Sequence, residues 1–109
     1  MIALMMGTAV YLAAMQAAVN VPREAFADCL KEADQAALVS KVGADAYAEF
    51  VKGQCANQTS KFRDALISFD VKNGVKRATA ASDADLQIDD YMQGSIERYK
   101  KVVARNEGG

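Results

Sequence analysis

The sequence predicts an all-α protein: a small antiparallel three-helix arrangement that contains one disulfide-linked helical hairpin and is preceded by an N-terminal hydrophobic helix. Three observations predict it. Apolar residues recur at three- and four-residue steps in three segments, and no stretch alternates for long enough to build a sheet. The two cysteines, Cys29 and Cys55, lie equally far from residue 42, beside the turn residue Gly43. The chain also opens on a run from Met1 to Val19 that carries no charge.

That opening run is apolar apart from Gly7, Thr8 and Gln16, and as a helix it spans about 28 Å, close to the thickness of a bilayer's hydrocarbon core. Ala25-Phe26-Ala27 followed by Asp28 matches the small-x-small pattern read by signal peptidase, which predicts a signal peptide over 1–27 cut before Asp28. Pro22 fits a stretch of extended chain ahead of the cut. Two features sit less well with this site: no Lys or Arg precedes the apolar run, and Arg23 and Glu24 fall inside the cleavage region. The alternatives are an uncleaved membrane anchor, so that any membrane contact is expected only through residues 1–19, and a buried helix of a soluble protein.

The remaining residues, 28–109, form the expected small helical domain. At 82 residues it is short for a self-sufficient core and calls for a covalent staple. An even cysteine count behind an export signal is the pattern of an oxidised pair in a periplasmic or extracellular protein.

Asp28 to Lys41 reads as the first helix, with Leu30, Ala33, Ala37 and Leu38 on one face and Gly43 suited to the left-handed closing residue. A second helix begins near Ala44 and carries the stripe Tyr47, Val51, Cys55, Phe62, Leu66 and Phe69. Asn57-Gln58-Thr59-Ser60 favours turns and caps, so this helix is expected to bend there. Asn73-Gly74 ends it, and Val75 to Ala81 is a connector. Ser82 then opens the last helix in a capping-box pattern, with Ile88, Met92, Ile96, Tyr99 and Val103 as its buried face.

The chemistry is sparse. The chain has no histidine, which removes the commonest general base and metal ligand. Asp83, Asp85, Asp89 and Asp90 resemble a calcium loop only superficially, because Ile88 and Gly94 stand where glycine and a bidentate glutamate are required. Ser40-Lys41 and Ser60-Lys61 are adjacent and so cannot form a catalytic dyad on one helix face. The glycines are isolated and make no phosphate loop. With 13 basic and 14 acidic residues, no net field draws the chain onto nucleic acid. No catalytic residue, cofactor or metal is therefore expected. The functional expectation is a non-catalytic periplasmic or extracellular interaction module with a protein partner. The alternatives are a membrane-anchored accessory subunit of an envelope complex and an acid-stress periplasmic chaperone. The last rests on the positive charge that carboxylate protonation would create near pH 4 and below.

Overall fold

The structure, a computed structural model, describes residues 2–108, and their side chains from residue 16 to residue 107. Among the described residues there are four helices, α1 (Ile2–Val39), α2 (Tyr47–Gln54), α3 (Ala56–Lys72) and α4 (Arg77–Gly108), with a 3₁₀ turn at Ala44–Ala46 between α1 and α2. No strand occurs among the described residues, in keeping with the expected all-α class. The apolar segment expected to act as signal or anchor lies, over residues 1–15, outside the residues whose side chains are described. Among the described residues no helix is long and apolar enough to cross a membrane.

The first helix starts far upstream of its expected beginning at Asp28. Its buried face, Val19, Phe26, Leu30, Ala33 and Ala37, keeps one helical phase across the whole stretch. Pro22 lies inside α1 and does not interrupt it, where extended chain was expected. The absent N–H of Pro22 frees the carbonyl of Ala18, and Ala18 is exposed, so water can satisfy that group.

The helix ends at a Schellman motif, in which the Val42 N–H donates to the Ala37 carbonyl (2.9 Å) and the Lys41 N–H to that of Leu38 (3.2 Å). The left-handed residue is Lys41 (φ 57°), and not Gly43, which has φ −67° and precedes the 3₁₀ turn. The motif closes two residues earlier than the glycine suggests.

The expected bend in the second helix lies at Cys55 (φ −109°, ψ 20°), two residues before the polar run. Asn57 to Ser60 are helical, and the Thr59 hydroxyl donates to the Cys55 carbonyl (2.7 Å), so neither Thr59 nor Ser60 serves as an N-cap. α2 and α3 together take the place of the single second helix. Asn73-Gly74 does end α3, with Gly74 at φ 91° and a second Schellman motif in which the Val75 N–H donates to the Asp70 carbonyl (2.9 Å).

α4 begins at Arg77, so Ser82 is inside a helix and caps nothing. Ala80 and Ala84, assigned to the connector and the first turn, are core residues at 0% and 1% exposure. Ile88, Met92, Ile96 and Tyr99 form the buried face as expected, with Val103 packed against its edge.

Contacts between named residues give the helix directions. Asp34 meets Tyr47, Cys29 meets Cys55 and Phe26 meets Phe62, so α1 runs antiparallel to α2 and α3. Arg63 meets Asp85, and Tyr47 meets Ser95, so α4 is antiparallel to α2 and α3 and parallel to α1. The core lies along the common axis of these three courses.

Candidate functional site

Cys29 and Cys55 are joined as the sequence predicts, with S–S 2.16 Å and Cα–Cα 5.8 Å. Cys29 is on the buried side of α1, and Cys55 is fully buried at the junction of α2 and α3. The turn between them falls at residues 40–46, around the midpoint of the pair.

The cross-link is flanked by two clusters that the sequence reading kept apart. On its turn side lies a polar cluster drawn from three helices. Tyr47 of α2 donates its hydroxyl to Asp34 Oδ1 of α1 and sits 3.0 Å from Ser95 Oγ of α4. Ser95 also reaches Asp34 Oδ1 (3.4 Å), and Arg98 Nε donates to Asp34 Oδ2 (2.9 Å). Both oxygens of one carboxylate are thus occupied, and the hydroxyls of two fully buried residues are satisfied.

Burial, and next the hydrogen bond to Asp34, push the Tyr47 hydroxyl up to about 12. Tyr99 stacks on Tyr47 with ring centroids 4.0 Å apart and donates to the Val42 carbonyl (2.5 Å), which ties α4 to the α1 turn. Burial and then the charge of Asp34 raise the Tyr99 hydroxyl above its ordinary value as well.

On the other side of the cross-link lies an aromatic cluster. Phe26 lies 5.4 Å from Phe62 and 5.6 Å from Tyr91, edge-on to the latter. The Arg23 guanidinium stands 5.5 Å above the Phe62 ring and donates to Asn20 Oδ1 (3.1 Å). Beside it a shallow groove of about 180 Å³ runs between α1, α3 and α4, floored by Val19, Leu66 and Phe69.

The residues expected at the signal cleavage site, Ala25, Ala27 and Asp28, sit within a single turn of α1. Ala25 and Asp28 face solvent, Ala27 is half-buried, and Phe26 between them is fully buried. The acidic run of α4 does not converge: Asp83, Asp85, Asp89 and Asp90 are all exposed, and Asp85 pairs with Arg63 (2.8 Å). Among the described residues no group of three or more metal-ligating side chains comes together.

The sequence reading missed Asp34, Ser95, Arg98 and Phe26. Ser95 was legible in principle, since it is three residues after Met92 and four before Tyr99, on the buried line of α4. Phe26 continues the phase of Leu30 and Ala33 but had been assigned to the leader. Asp34 and Arg98 each lie beside a core position and gave no periodic signal of their own.

The polar cluster can fix the register of three helices and hold a phenol protonated. Each of its groups bonds to another. Comparison with protein-family models, with curated proteins and with solved structures finds no match for this chain.

Proposed function

We propose that the protein is a non-catalytic interaction module that works outside the cytoplasm and acts by binding another protein. One observation carries the non-catalytic part. The polar groups that converge from three helices, Asp34, Tyr47, Ser95 and the half-exposed Arg98, are bonded to one another, whereas a catalytic cluster keeps a group open towards a cavity. The placement outside the cytoplasm is supported by the joined cysteines, since such pairs persist in oxidising compartments. Exposed apolar side chains suited to a partner are Val21 (68% exposed) and Leu86 (63%) on two of the helices.

The test is affinity capture from a cell-envelope fraction with the oxidised protein. The expected outcome is a partner retained in fixed stoichiometry and displaced by excess untagged protein. Reproducible turnover of any substrate by the purified chain, abolished by Tyr47→Phe or Asp34→Asn, would overturn the reading.

A further inference from the structure

The leader and the folded body divide at a different place from the one that the small-x-small match selects. We propose that the exported chain is processed upstream of Val19, so that the mature N-terminus falls between Met15 and Val19. The inference rests on the export reading and adds a site to it.

The carrying observation is that the segment 19–27 contributes Val19 and Phe26 to the core. Val19 is 5% exposed and Phe26 fully buried. The Phe26 ring fills the space between Phe62 of α3 and Tyr91 of α4. A cut after Ala27 would remove that ring, the Arg23 cation over Phe62 and the helix segment that covers Leu66 and Phe69. The product would begin at Asp28, one residue before the cross-link, with an apolar cavity open along α3 and α4.

The sequence offers two parts of a leader upstream, an apolar stretch and a small-residue boundary, without a basic segment before them. The uncharged stretch Ile2–Leu12 has a length within the usual range of 7–15 residues for the hydrophobic part of a leader. It is followed by Ala13-Ala14 and Ala17-Ala18, and Leu12-Ala13-Ala14 supplies a small final residue with an aliphatic one two places before it. The assignment also removes one of the two misfits of the downstream site. Arg23 and Glu24 become ordinary residues of α1, Glu24 facing solvent and Arg23 stacking on Phe62. Pro22 becomes a helix residue of the mature protein. The step is peptide-bond hydrolysis by a signal peptidase: water adds across the bond, leaving a carboxylate on the leader and a new amine on the mature chain.

The test uses the full chain with its own N-terminus, expressed in a Gram-negative host and followed by fractionation and intact mass. The two candidate products differ by at least the residues 19–27, a difference that mass resolves directly. The expected result is a periplasmic product that starts between Met15 and Val19. An Ala25→Glu variant, which places a charge at an exposed position and blocks the downstream site, is expected to be processed identically. A periplasmic product that starts at Asp28, lost in Ala25→Glu, overturns this site and leaves export standing. Any other internal start overturns the window. A chain that keeps Met1 and fractionates with membranes overturns the site and leaves export standing, whereas a cytoplasmic chain that keeps Met1 overturns the site and the export reading together.

Discussion

Phe26 is fully buried and touches aromatic rings on two other helices, so its truncation removes contacts that no neighbour can replace. Phe26→Ala is expected to destabilise the fold by about 3–5 kcal/mol, while Leu86→Ala, at a residue 63% exposed, should stay within about 0.5 kcal/mol. Urea unfolding of the two variants checks the contrast, and equal losses would show that Phe26 is not in the core. Tyr47 gives a second residue-level outcome. Its hydroxyl is pushed up to about 12 by burial and by its bond to Asp34, above the ordinary value near 10. The fold therefore favours the neutral phenol. That contribution is complete below about pH 10 and is lost as pH rises towards 12. The urea midpoint should fall across that window, and Tyr47→Phe should start lower and fall less steeply, since it gives up the bond but no longer ionises. A Tyr47→Phe profile parallel to that of the unaltered chain would exclude the cluster as the source.

At the scale of elements, α1 and α3 end in the same Schellman geometry with different residues in the left-handed position, Lys41 (φ 57°) and Gly74 (φ 91°). A side chain in that conformation costs about 1–2 kcal/mol, and no atom lies within 4 Å of a Cβ built at Gly74, so space does not decide the outcome there. Lys41→Gly is expected to stabilise the protein by about 0.5–1 kcal/mol and Gly74→Ala to destabilise it by about 1 kcal/mol. Thermal unfolding of the pair reads both signs, and a stabilising Gly74→Ala would contradict the assignment. The two turns also show how far the elements were legible. Asn73-Gly74 announced its turn because the residue that needed freedom was the glycine itself. At the first turn Gly43 stood nearby and drew the assignment, while the helix closed at Lys41, with the Val42 N–H on the Ala37 carbonyl. The break at Cys55 was hidden for a similar reason. Asn57 to Ser60 have the weaker helix propensity, but the helix gave way at the residue held to α1, and tertiary constraint outweighed local preference. The upstream half of α1 was illegible because one stretch, Val19 to Ala27, satisfies both a leader pattern and a core pattern.

For the whole molecule, the cross-link joins residues separated by 26 positions and should contribute about 3.5 kcal/mol through the unfolded chain. Reduction, or a Cys29→Ala, Cys55→Ala pair, is expected to lower the urea midpoint accordingly, and an unchanged midpoint would mean that the ring adds nothing. The candidate site was legible at this scale only as the cysteine pair. The polar cluster beside it arises from three helices meeting, and no single segment carries its pattern. The position of the ring along the chain has a mechanical consequence. Residues 30–54, with the α1 turn and all of α2, lie within the covalent loop, so a force applied at the two ends passes from Cys29 to Cys55 and never loads them. Stretched from its termini, the oxidised chain should yield α4 and the flanking parts of α1 and α3. It should then stop about 85 Å short of the contour length that the reduced chain reaches, leaving a slack, tethered knot of helix that no pull from outside can straighten.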